Sequence, residues 1–137
     1  MIIVMRLKEQ HLSMLRREAR KAYPLEACGL LFGKFADKTE AVVTKIVVTS
    51  NALKSTTRFE IDPETFYDAL TRADKGGLKL IGLFHSHPAP AEPSQVDIEF
   101  MRLWNGVVWL ILSLTEDEFA AFQMINGKVR SATIKVE

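Results

Sequence analysis

Leu78-Lys79-Leu80-Ile81-Gly82-Leu83-Phe84 runs directly into His85-Ser86-His87, and the reading of this stretch decides the fold. Leu78–Phe84 is almost continuously apolar, the pattern of a central strand buried on both faces. Gly76-Gly77 precedes it as a helix stop. Pro88-Ala89-Pro90-Ala91-Glu92-Pro93 follows it, too rich in proline for regular structure. Strand side chains alternate between faces, so His85 and His87 emerge on one face at the mouth of the strand.

Upstream, Ile2–Leu7 reads as a short opening strand. In Lys8–Tyr23 the apolar residues Leu12, Leu15, Ala19 and Ala22 recur every three or four positions, which predicts an amphipathic helix. Pro24 ends it, because proline disfavours helical geometry in the residue before it. Ala27–Phe35 and Glu40–Thr49 are two strands around the polar turn Ala36–Thr39. Ser50–Thr57 is polar and irregular, and Arg58–Ile61 reads as a short strand. Asp62-Pro63-Glu64 starts a helix, with Asp62 as N-cap and proline at the first helical position. That helix runs to about Lys75.

Downstream, Ser94-Gln95-Val96-Asp97 opens a helix expected to reach about Trp104. Val107–Ser113, Glu118–Ile125 and Lys128–Val136 are closing strands, the last two joined by the hairpin pair Asn126-Gly127. The expectation is a single α/β domain over residues 1–137, with a mixed, curved β-sheet flanked by about three helices.

Composition narrows the function. Of 137 residues, 47% are hydrophobic and 26% charged, ordinary for a globular protein, and a chain of this length is enough for a core without disulfides. The net charge of +1 gives no electrostatic reason to expect nucleic-acid or membrane-surface binding. A single cysteine excludes an internal disulfide and a cysteine-built zinc site. The opening apolar run is too short for a signal peptide, and the longest apolar stretch, Val107–Leu112, is far below the ~20 residues of a membrane helix. A cytoplasmic location is the expectation.

Two histidines on one face plus a carboxylate, Asp97, leave a fourth tetrahedral position open, the pattern of a catalytic zinc site. The same donor set also suits non-haem iron. Glu26 is the candidate general base, a carboxylate set just after Pro24 and before an apolar strand. Each residue has a plainer reading. Ser94 and Asp97 form an ordinary helix start, in which one carboxylate oxygen would not both cap fully and bind a metal. Glu26 could be a solvated helix-end residue. His11 reads as a surface histidine and Cys28 as a small buried hydrophobe. Trp104 and Trp109 read as packing residues.

His85-Ser86-His87-Pro88 followed by Pro93-Ser94-Gln95-Val96-Asp97 resembles the JAMM motif of the MPN+ (JAB1/MPN/Mov34) metalloproteases. Pro24-Leu25-Glu26-Ala27-Cys28-Gly29-Leu30-Leu31-Phe32-Gly33 resembles the glutamate segment of that family. Arg58-Phe59-Glu60-Ile61-Asp62-Pro63 resembles a segment of its short prokaryotic members. The resemblance implies an MPN (cytidine-deaminase-like) fold and one zinc ion (Zn2+) per chain, held by His85, His87 and Asp97. It implies Glu26 as the base that activates water and Ser94 as a hydrogen-bond donor to the developing oxyanion. The implied activity is hydrolysis of the bond after the C-terminal glycine of a ubiquitin-like protein attached to lysine.

Nine residues separate His87 from Asp97, one fewer than is usual in the family. Either the Pro-rich loop absorbs the deletion or Asp97 is displaced. The implied partner is a ubiquitin-like protein ending in Gly-Gly, with Ser50–Thr57 expected to contribute to tail binding; a homodimer is left open. Two other functions stay beside this one. The same chemistry could trim the C-terminus of a sulfur carrier of the ThiS/MoaD type, or the domain could be a non-catalytic MPN scaffold.

Overall fold

The computed structural model describes residues 1–137. The elements in chain order are β1 (Val4–Leu7), α1 (Glu9–Ala22), β2 (Cys28–Phe35), β3 (Glu40–Thr49), α2 (Pro63–Lys75), β4 (Lys79–His87), α3 (Gln95–Met101), β5 (Val108–Ser113), β6 (Glu118–Ile125) and β7 (Lys128–Val136). The three helices and the mixed strand directions agree with the sequence. None of the helices is long and apolar enough to cross a membrane.

The expected curved sheet is in fact a closed barrel of order β1-β3-β2-β4-β5-β6-β7. The short strand β1 closes it by pairing parallel with both β3 and β7, Val4 lying against Glu40 on one side and Thr133 on the other. The buried Gln123 amide reinforces the seam. Its Oε1 accepts from the Ile2 N–H at 3.2 Å, and its Nε2 donates to the Ile2 carbonyl.

Two apolar clusters occupy opposite faces of the central strands, as alternation requires. Leu12, Leu15 and Ala19 of α1 pack with Met5, Leu31, Phe84 and Leu110. Ala69 and Ala73 of α2 and Met101 of α3 pack with Leu30, Phe32, Leu83 and Trp109. The β2–β4 ladder shifts register between Leu31 and Phe32, and Gly82 lies opposite Leu31. A Cβ on Gly82 would collide with the Val108 carbonyl, so glycine there lets β5 approach β4 closely.

Local rules account for the ends. Asp62 caps α2 by accepting from the Thr65 N–H at 3.1 Å. Asn126 and Gly127 both adopt positive φ, as a two-residue primed turn demands. His11 is half-buried, and its Nδ1 accepts from the Lys8 N–H at 3.1 Å, which caps α1.

Three expectations need correction. Arg58–Ile61 forms no strand, because its backbone is held by a side chain rather than by a neighbouring strand. α3 stops at Met101, three residues early. The chain tightens into i→i+3 bonds (Leu103 N–H to Phe100, Trp104 N–H to Met101) before turning at the positive-φ Gly106. β4 continues past Phe84 to His87, so both histidines are strand residues.

Candidate metal centre

β4 places the imidazoles. His85 and His87 continue the parity of Leu83 and face the α2–α3 side, while Phe84 and Ser86 face α1. Ser86 fixes what lies opposite. Its Oγ accepts from the Ala27 N–H at 2.9 Å, and its own N–H donates to the Ala27 carbonyl at 3.1 Å. With Cys28 paired to His85 and Ala27 tied to Ser86, the antiparallel register sets Glu26 across from His87. α3 then delivers Asp97 from its first turn.

The four side chains converge in a buried space, with Glu26 3%, His85 0%, His87 6% and Asp97 4% exposed. The two Nε2 atoms lie 3.0 Å apart, and Asp97 Oδ2 lies 3.1 Å from that of His85 and 3.2 Å from that of His87. Donors at about 2.0–2.1 Å from a tetrahedral zinc would be about 3.3 Å from one another, so this triangle has the size a metal ion needs. The one-residue deletion therefore leaves Asp97 against both histidines.

One oxygen of Asp97 does two tasks that the sequence reading held apart. Oδ2 accepts from the Ser94 N–H at 2.9 Å and is also the oxygen facing both imidazoles. A carboxylate oxygen has more than one lone-pair direction, which is what makes this geometry available. Ser94 Oγ reciprocates by accepting from the Asp97 N–H at 3.1 Å. That bond uses the hydroxyl as an acceptor and leaves its O–H free to donate.

Glu26 stands one step away, with Oε2 3.9 Å from His87 Nε2 and Oε1 buried without a hydrogen-bond partner. Glu26, His85 and His87 also bring ligand atoms within 4.8 Å of one another, a second and looser donor set. The triangle completed by Asp97 is the tighter one.

Electrostatics separates the two carboxylates. Burial pushes Glu26 up to about 7; His87 works against this and Asp97 adds to it. Burial also pushes the Asp97 carboxyl up, but hydrogen bonds from His85, His87 and the Ser94 N–H outweigh it and hold Asp97 well below the usual range. Burial lowers His85. For His87, Asp97 and Glu26 outweigh burial and raise it. One carboxylate is thus kept ionised beside the imidazoles, and the other is poised to exchange a proton near neutrality.

A carboxyl raised in the folded chain binds its proton more tightly there than in the unfolded chain, so stability falls as pH climbs from about 4.5 to 7. Glu26→Gln is expected to stabilise the metal-free protein by about 1–2 kcal/mol at about pH 8 and to change little at about pH 4. Urea unfolding at the two pH values checks it, and equal stability at both would show that Glu26 is solvated.

Aromatic rings wall the site. Phe59 stacks on His85 at 4.6 Å between centroids with 21° between planes, and Trp109 meets His85 edge-on at 5.6 Å. His85 Nδ1 has no hydrogen-bond partner. The packing of Phe59 and Trp109 thus fixes the orientation of this imidazole. Sequence reasoning missed Phe59 and also Asn51, a buried amide whose five hydrogen bonds order residues 51–60. The only sequence signal for Phe59 was its place in Arg58–Pro63; Asn51 carried none.

Phe59 and Trp109 also form the inner wall of an apolar groove of about 670 Å³, continued by Phe66, Leu70, Phe100 and Trp104. Tyr67 and Leu103 stand on its rim, 68% and 76% exposed.

The family of prokaryotic homologs of the JAB domain matches residues 8–125. The desampylase of Pyrococcus furiosus is 39% identical over 114 residues, which cover 82% of this chain and 77% of that protein. The solution structure of a Desulfitobacterium hafniense protein superposes with a TM-score of 0.84 at 31% identity, over 98% of this chain and 92% of the other. A Salinibacter ruber protein gives 0.72 at 26% identity, over 96% and 92%. With the family match spanning residues 8–125 and the desampylase similarity covering 82% of the chain, this protein belongs to the JAMM-bearing JAB-domain family in its prokaryotic form.

Proposed function

We propose that the protein is a zinc isopeptidase that cleaves the bond after the C-terminal glycine of a ubiquitin-like modifier attached to lysine. The observation that carries this reading is the buried triangle of His85 Nε2, His87 Nε2 and Asp97 Oδ2, with the buried Glu26 carboxylate 3.9 Å from His87 beside it. The similarity to a desampylase supports the substrate class.

His85, His87 and Asp97 would hold the ion, and their donor set fits zinc. A zinc ion bound there would polarise the scissile carbonyl and acidify a water. Glu26 takes a proton from the attacking water and passes it to the departing lysine amine, so the proton count closes without a covalent acyl-enzyme. The free O–H of Ser94 donates to the carbonyl oxygen as negative charge develops on it. Asp97 stays ionised throughout, because its hydrogen bonds outweigh the cost of its burial.

The apolar groove supports a protein substrate. Exposed apolar side chains on its rim, Tyr67 and Leu103, are of the kind that a protein partner covers. Leu103→Asp is expected to raise KM for a folded conjugate about tenfold and to leave kcat within about twofold, since Leu103 is an exposed rim residue and makes no hydrogen bond or ion pair with the buried cluster. Steady-state kinetics on a lysine-linked conjugate checks it; an unchanged KM would remove the groove from the substrate path.

The test of the function is elemental analysis of the purified protein beside His87→Ala, followed by hydrolysis of a ubiquitin-like conjugate. About one zinc per chain, lost in the variant, together with cleavage that a chelator abolishes, is the expected result. Iron in place of zinc, or a zinc-loaded protein inert toward such conjugates, would overturn it.

A further inference from the structure

Asn51 lies two residues past the end of β3 and is 8% exposed. Its Nδ2 donates to the carbonyls of Arg58 at 2.8 Å, Glu26 at 3.2 Å and Ser55 at 3.4 Å. Its Oδ1 accepts from the N–H groups of Leu53 at 3.0 Å and Glu60 at 3.2 Å. The Glu26 N–H closes the arrangement by donating to the Ser55 carbonyl at 2.9 Å. Both polar backbone groups of Glu26 therefore end on this loop, one on the Asn51 side chain and one on a carbonyl that Asn51 also binds.

The same amide grips Phe59 from both sides. It binds the carbonyl of Arg58 and the N–H of Glu60, the residues on either side of the ring stacked on His85. Glu26 and Phe59 are thirty-three positions apart in sequence, yet one side chain holds the backbone of both.

We propose that Asn51 is a positioning residue that sets the Glu26 carboxylate and the Phe59 ring against His85 as one unit. This rests on the reading of Glu26 as the base. It also gives Ser50–Thr57 a task beyond the substrate contact expected from sequence, because Ser55 supplies the carbonyl that anchors the Glu26 backbone. The physical reason for an asparagine is donor and acceptor count. Only a primary amide of this length offers two N–H donors toward three carbonyls and an oxygen toward two N–H groups.

Asn51→Asp tests it at constant size, since the change turns the donor side into an oxygen that opposes those three carbonyls. The expected result is zinc content equal to the unaltered protein, kcat lowered about 10–100-fold and KM within about threefold, because a base displaced by a fraction of an ångström loses rate before it loses binding. The ring-current shift that Phe59 imposes on the His85 imidazole protons is expected to shrink in the same variant, a readout independent of turnover. Unchanged kcat, or a fall in kcat with an unaltered His85 shift, overturns the proposal.

A second measurement needs no variant. In the unaltered zinc-loaded protein the amides of Glu26, Leu53 and Glu60 are expected to exchange with solvent together, as one cooperative opening. A Glu26 amide exchanging at least about tenfold faster than the other two overturns the coupling even if Asn51→Asp fails to fold. If the unaltered protein holds zinc and cleaves nothing, the functional reading fails, while the imidazole shift and the exchange pattern still decide the role of Asn51.

Discussion

Glu26→Ala is expected to keep its zinc and to lose about 10²–10⁴-fold in turnover, the range that a well-placed general base contributes. The position of its carboxylate is the reason. Oε2 is 3.9 Å from His87 Nε2, outside the 3.0–3.2 Å triangle, and Oε1 has no partner. A ligand would be drawn into the triangle; a base needs to stand beside it with a free oxygen. Burial that pushes this carboxyl up to about 7 supplies the matching proton affinity. A bound cation lowers that value, so the activity should rise with pH on a limb centred at or below about 7. Elemental analysis and kcat on the same preparation give the answer. Loss of zinc in Glu26→Ala would assign the looser Glu26, His85 and His87 set as the true ligands.

Asp97→Ala should act on the other axis. It removes an oxygen that meets both imidazoles and the Ser94 N–H at once, so metal binding and the start of α3 suffer together. Changing a group that merely supports a ligand costs about 10–100-fold in metal affinity, and removing the ligand itself is expected to cost more than ~100-fold. Chelator competition measures that loss, and undiminished affinity would mean that another group completes the site. Hydrogen bonds hold the Asp97 carboxyl well below the usual range, so it stays charged across the working pH span. Acid release of the metal should then follow histidine protonation, below about pH 6.

Much of the site is legible in sequence because period-two parity is rigid. Once Leu78–Phe84 reads as a buried strand, His85 and His87 must share a face. A capping pattern at Ser94–Asp97 then says where a helix begins. Glu26 could be nominated but not placed, since its position opposite His87 depends on the β2–β4 pairing. Barrel closure is out of reach for a related reason: β1 is four residues long, and nothing in them announces parallel partners on both sides. Asn51 is the hardest case. It is a polar residue in a polar stretch, and a side chain that bonds to distant backbone leaves no periodic trace.

The seam of the barrel has a kinetic meaning. β1 must find β7 across almost the whole chain, with Val4 beside Thr133, and that loop carries the largest entropic cost of any pairing in the molecule. The β2–β3, β5–β6 and β6–β7 hairpins span short loops and can form early, whereas the ring closes only when the first and last strands meet. Glu26, the two histidines and Asp97 lie on the β2–β4–α3 side, so the reactive centre can assemble before the barrel has sealed.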